Sequence, residues 1–115
     1  MEVDYTDNSE QVLAAMEKGK RNALTAIGAS AETHTKDNIT ADKLVDTGRL
    51  RNSISYTVDG EAAYIGTNVE YAPYLELGTK KIAAHHYLKR AVTEHQDEYK
   101  KLTAQAIQSA ISNSQ

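Results

Sequence analysis

The chain contains no cysteine, no phenylalanine and no tryptophan, and only one proline, Pro73. Without a thiol there is no disulfide, no thiolate nucleophile and no cysteine metal site, and any redox compartment is compatible with the sequence. Without Phe or Trp the core must be aliphatic. The seven Tyr belong at its margins, where a phenol buries its ring and keeps its hydroxyl paired. No apolar run approaches the roughly 20 residues needed to cross a bilayer, and the acidic opening MEVDYTDNSE lacks the basic and then apolar pattern of an export signal. These features predict a soluble protein that works where it is made, with no membrane partner. An excess of positive charge is missing too. The 13 Lys and Arg face 16 Asp and Glu for a net charge of −3, whereas a dedicated polyanion binder needs clustered cations.

A length of 115 residues suits a single domain, 1–115, with one core. The polar ends, 1–8 and 112–115, are expected to fray. A chain this short buries about 60 to 70 % of its unfolded surface, so assembly with copies of itself would add stability. The first 48 residues hold nine acids and five bases, and the remainder seven acids and eight bases. That polarity lets one end of a copy meet the other end of its neighbour in a ring.

From Ser9 to about Asn38, the residues Val12, Leu13, Met16, Ala23, Leu24, Ile27 and Ala31 recur at helical spacing, with Asp7, Asn8 and Ser9 offering N-cap oxygens that accept the first helical N–H groups. Gly19 and Gly28 inside this helix imply either a kink or close packing against another backbone. SISYTV and AAYIGT, joined at Asp59-Gly60, read as a hairpin with a tight positive-φ turn, with Ile54, Tyr56 and Val58 on one face and Ser53, Ser55 and Thr57 on the other. Pro73 and Gly78 bracket a helix of one to two turns. A second long helix runs from Leu88 through Ala91, Val92, His95, Tyr99, Leu102, Ala106 and Ile107 to Ala110. The expected fold is α+β, with two long helices packed on a small antiparallel β-sheet and a short helix after the hairpin.

Candidate chemistry is sparse. His85-His86 is the obvious pair for a metal, but neighbouring residues point apart and no His-x3-His spacing completes a site, so no metal or cofactor is expected. His95 is read as a helix-packing residue and His34 as a surface or helix-end residue, neither needing a ligand. Ser53, Ser55, Thr47 and Thr79 lack a nucleophile elbow. Glu70 and Glu76 flank a turn with no room for a cleft beside them. No catalytic residue is assigned, and an enzyme is not expected. The short basic clusters at Lys18/Lys20/Arg21, Lys80/Lys81, Lys89/Arg90 and Lys100/Lys101 are interrupted by acids and read as solvated helix faces. A nucleic-acid-binding accessory protein, and more remotely a small hydrolase, are the rival readings.

Two blocks stand out: Asp46-Thr47-Gly48-Arg49-Leu50-Arg51-Asn52-Ser53-Ile54, and Gly66-Thr67-Asn68-Val69-Glu70-Tyr71-Ala72-Pro73-Tyr74-Leu75-Glu76-Leu77-Gly78-Thr79. Gly48 permits a tight turn into a strand, on which Arg49 and Arg51 would share a face and find Glu70 and Glu76 as partners. With Leu88-Lys89-Arg90-Ala91 behind them, the blocks resemble the signature of the small tail-completion, or head-to-tail joining, proteins of long-tailed phages and prophages. In that family a D-T-G-x-L-x-x-S-I block opens a strand, a G-T-N-x-x-Y-A-x-x-x-E-x-G-T block follows, and an L-x-x-A helix start closes the pattern. The chain departs from it where His85-His86-Tyr87 replaces an Arg-Pro-Phe-like junction.

The resemblance implies a structural virion protein that sits at the head-proximal end of the tail as a ring of six copies. Its implied partners are further copies of itself, the tail tube protein and the head connector or stopper, with DNA passing through unread. The interface candidates are Asp46, Thr47, Gly48, Arg49, Leu50, Arg51 and Ser53 in the first block, and Glu70, Tyr71, Ala72, Pro73, Tyr74, Glu76, Gly78 and Thr79 in the second. Lys80, Lys81, His85, His86 and Tyr87 are the candidates for a docking loop.

Overall fold

The computed structural model describes residues 9–44 and 47–113, without the side chain of Thr47. Asp46, the expected ends at 1–8, and residues 114–115 lie outside the described residues. The described molecule is long and thin, 76 × 23 × 22 Å, with a radius of gyration of 19.3 Å against about 13 Å for a compact chain of this length.

One helix sets that length. α1 runs unbroken from Ser9 to Ala41, 33 residues, or about 50 Å at the helical rise. Its buried face consists of Ala15, Gly19, Ala23, Gly28, Ala31, Thr35 and Ile39, spaced by three to five residues. Most of these are small, and the glycines mark close packing. A Cβ on Gly19 would lie 2.8 Å from the Ile107 Cα, and one on Gly28 would lie 2.5 Å from the Tyr56 ring. The expected stripe is therefore corrected at its start. Val12, Leu13 and Met16 are exposed, because the opposing helix packs against the Ala15–Gly19–Ala23 face and leaves the bulkier side chains outside.

α2, Thr47–Ser53, is a helix where a strand was expected, and the strand begins only at Ser55. The helical turn buries both Leu50 and Ile54, and Ile54 N–H closes it on the Arg51 carbonyl. β1 (Ser55–Val58) and β2 (Ala63–Gly66) form a two-stranded antiparallel sheet. Tyr56 pairs with Ile65 and Val58 with Ala63. The connection takes four residues, 59–62, rather than a two-residue turn. The Asp59 carboxylate accepts the Glu61 and Ala62 N–H groups, both at 2.8 Å, so the loop is built by a side chain and neither Asp59 nor Gly60 has positive φ.

α3, Ala72–Leu77, carries Pro73 in its first turn and ends on Gly78 at φ +79°, as the sequence predicts. The second long helix is in two pieces, α4 (Tyr87–Thr93) and α5 (Gln96–Asn113). The break at Glu94-His95 keeps both pieces against α1, and α5 continues through Ser112 and Asn113, which were expected to fray. The main core lies at one end of the rod, where Ile39, Leu44, Leu50, Ile54, Val69, Ala72, Leu75 and Tyr87 cluster. The other end is a two-helix arm of α1 and α5. Among the described residues no helix is long and apolar enough to cross a membrane.

Candidate functional site

The two sequence blocks fold against each other. Arg49, on α2, forks onto Glu70, with Nη1 to Oε1 at 3.1 Å and Nη2 to Oε2 at 2.9 Å, and its guanidinium lies 5.5 Å from the Tyr71 ring centre. This fork holds the Glu70 carboxyl below the usual carboxylate range. Next to it the Ser53 and Thr67 hydroxyls are hydrogen-bonded, and Thr67 Oγ1 also accepts the Val69 N–H at 3.1 Å. Leu50 and Ile54 from the first block meet Val69, Ala72 and Leu75 from the second in the core.

The other half of the expected charge pairing does not form. On a helix, residues two apart face away from each other, so Arg51 is exposed on a different side from Arg49. Glu76 turns to the start of α4, accepting the Leu88 N–H at 2.7 Å and the Lys89 N–H at 3.2 Å. A carboxylate is favoured there because it satisfies N–H groups that the helix leaves open.

The junction between α3 and α4 is tied down at both ends. Thr79 Oγ1 accepts the Lys81 and Ile82 N–H groups, both at 3.1 Å, leaving Lys80 and Lys81 exposed. His85 N–H reaches the Leu75 carbonyl and His86 N–H the Glu76 carbonyl, with His86 at φ +50°. The His85 imidazole and Arg90 both approach Asp42, at 3.3 and 2.9 Å. Tyr87, grouped with this loop on the sequence, is 0 % exposed. Its hydroxyl donates to the Ala72 carbonyl at 2.7 Å, and burial first, then the Glu76 charge, pushes its pKa up to about 12.

With the inward residues engaged in this way, the outward ones define a face. Tyr74 and Leu77, one turn apart on α3, are 57 % and 70 % exposed, and Ile82 of the following turn is also exposed. Pro73 lies beside them. Such a patch of large apolar side chains on a well-braced helix has the composition of a protein contact surface. As for catalysis, Glu70 is committed to Arg49 and Glu76 to α4, so the two are not a free carboxylate pair.

A second cluster, which sequence reasoning missed, lies where the α4–α5 break meets α1. The His34 and His95 rings stack, with centroids 3.5 Å apart and planes within 3°. Glu98 accepts from Ser30 Oγ at 2.7 Å and lies 2.6 Å from His34 Nε2; Ser30 first, then His34, holds its carboxyl below the usual range. His34 and Glu98 are 64 positions apart, so only the helix pairing reveals the group. Its one sequence signal is the helical spacing of Ser30 with His34 and of His95 with Glu98.

A family model described as "Bacteriophage HK97-gp10, putative tail-component" matches residues 6–78. Comparisons with curated proteins and with solved structures found no match.

Proposed function

The chain belongs to the HK97-gp10-like family of bacteriophage tail components, and from that premise we propose that it caps the head-proximal end of the tail tube as a ring and joins the tail to the head connector. As a tail component it is a structural protein of the virion. The finer role rests on how the signature blocks are used. Within the blocks the exposed Arg49–Glu70 fork and the part-buried Ser53–Thr67 pair hold the segment that leads into α3, and Pro73, Tyr74 and Leu77 are left for contact. A ring of six copies would present this face repeatedly, so a weak contact at each copy adds up to a firm joint. Lys80 and Lys81 rim the apolar patch, as expected for the polar edge of an interface.

DNA in this reading passes through the ring without being recognised. Lys20, Arg49 and Arg90 are committed to Glu61, Glu70 and Asp42, and a net charge of −3 offers no overall excess of cations for a phosphate groove. In a phage carrying the gene, its deletion should yield filled heads and separate tails. Leu77→Asp should fold normally yet restore fewer joined virions than wild type, and full joining by this variant together with Tyr74→Asp would refute the assigned face. Joined virions in the deletion itself would refute the role.

A further inference from the structure

We propose that His34, His95 and Glu98 bind a divalent transition-metal ion of the Zn2+ type, clamping the break between α4 and α5 to the C-terminal third of α1. The site is independent of the tail-joining role. One ligand atom from each residue lies within 4.8 Å of the other two. Zinc takes imidazole nitrogen and carboxylate oxygen at about 2.0 to 2.2 Å, which places neighbouring ligand atoms of a tetrahedron about 3.3 Å apart. The existing separations bracket that value, with His34 Nε2 to Glu98 Oε2 at 2.6 Å and His95 Nδ1 to the same oxygen at 3.8 Å. Two imidazoles and a carboxylate suit zinc and its borderline neighbours rather than calcium or magnesium, which prefer oxygen alone.

The surroundings fit a metal centre in other ways. Ser30 Oγ holds the second Glu98 oxygen, the outer contact that fixes a ligating carboxylate. Tyr99 walls one side, its ring centre 6.4 Å from that of His34 and 6.5 Å from that of His95, with its hydroxyl tied to the Ala91 carbonyl. Side-chain exposures of 23 % for His34, 31 % for His95 and 43 % for Glu98 leave a solvent side for ion access and a fourth, water ligand. The order Ser30–Glu98–His34 places the carboxylate between hydroxyl and imidazole, so the imidazole has no contact through which to activate Ser30 as a nucleophile.

The stacked rings set the mode of binding. Nitrogen lone pairs lie in the ring plane, and in parallel rings they run side by side. Metal uptake therefore splays His34 and His95 until their lone pairs converge, and the ion replaces the hydrogen-bonded contact between His34 and Glu98. The stack is lost as the clamp forms.

The test uses the full chain, freed of any polyhistidine tag and stripped with chelator, then titrated with ZnCl2 by calorimetry and by thermal melting. Expected are one ion per chain and a melting temperature that rises with zinc concentration. His34→Ala, His95→Ala and Glu98→Gln should each weaken uptake at least about tenfold, and Ser30→Ala by roughly tenfold. The double variant His85→Ala/His86→Ala should bind as wild type does. No uptake by wild type, uptake that survives loss of His34 and His95, or uptake that follows His85 and His86 would each overturn the proposal. If the alanine variants do not fold, the imidazole resonances of the wild-type chain decide it. Zinc must shift those of His34 and His95 and spare those of His85 and His86, and any other pattern sinks the site.

Discussion

Replacing Tyr87 by Phe removes a single oxygen from the largest fully buried side chain of the described molecule. The lost group donates to the Ala72 carbonyl at 2.7 Å, and the ring that remains still fills its place among Ile39, Leu50, Ile54 and Leu75. The cost is therefore that of one buried hydrogen bond, about 1 to 2 kcal/mol. For a chain of this size that corresponds to a fall in melting temperature of about 4 to 8 °C. Tyr87→Ala, which empties the space as well, should cost about 3 to 5 kcal/mol. Alkaline pH supplies a second readout. With its folded pKa raised to about 12 from an ordinary value of about 10, the neutral phenol favours the native state. That contribution is complete below pH of about 10 and is lost as the pH climbs toward 12. Phe cannot ionise, so the gap between wild type and Tyr87→Phe should narrow with rising pH across that window. Melting curves by circular dichroism, at pH 7 and then at steps through the alkaline range, measure both effects. Equal melting at pH 7, or a gap that stays constant with pH, would refute the role given to this hydroxyl.

Three further outcomes are expected. Gly19→Ala gains about 1 kcal/mol of helix propensity, but its Cβ meets the α5 backbone at 2.8 Å, where overpacking costs about 1 to 3 kcal/mol; urea unfolding should show no gain and up to about 2 kcal/mol of loss. Glu76→Ala opens the Leu88 and Lys89 N–H groups, a cap loss of about 1 kcal/mol, and amide exchange should quicken at the start of α4; unchanged exchange would contradict the capping geometry. Arg49→Ala should let the Glu70 carboxyl titrate back toward its ordinary range, whereas Arg51→Ala should leave it alone, both read by carboxyl NMR. Since the fork lowers the Glu70 pKa, its stabilisation is present above the ordinary carboxylate range and fades as pH falls through the lowered value.

The elements most legible in the sequence were those written in local chemistry. Helical spacing marked α1 and most of α5, alternation marked β1, and Pro73 with Gly78 marked the two ends of α3. What stayed hidden depended on which partner arrived. Val12, Leu13 and Met16 have the period of a core stripe, but α5 offers Ala106, Ile107 and Ala110 to a face of small residues, and backbone proximity at Gly19 outcompeted bulk. The Asp59 side chain built a longer turn than the Asp-Gly pair alone suggested. Thr47 to Ser53 looked like an approach to a strand, yet a helical turn buries Leu50 and Ile54 together. Opposite sign named Glu70 and Glu76 as candidate partners for Arg49 and Arg51, but only the helical α2 shows that Arg49 takes Glu70. Glu76 needed the position of α4 before its partners could be known, and the His34–His95–Glu98 group needed the whole α1–α5 pairing.

The segment that carries the family match ends at Gly78, but the structural unit does not. α3 is the last matched element, and its inner side rests on contacts from beyond that boundary: the Tyr87 hydroxyl on Ala72, and the α4 N–H groups on Glu76. Without residues 79–113 the Ala15–Gly19–Ala23 face of α1 would lose its covering helix and the core its largest side chain. The direction in which Tyr74 and Leu77 face is thus set jointly, by the Arg49–Glu70 fork from the matched side and by Tyr87 from the unmatched one. Displacing α3 must break the buried Tyr87–Ala72 hydrogen bond and the Glu76 contacts to α4 together, whereas the exposed Arg49–Glu70 fork adds little resistance. That double anchoring of α3 is the property the proposed joint would require of its contact surface.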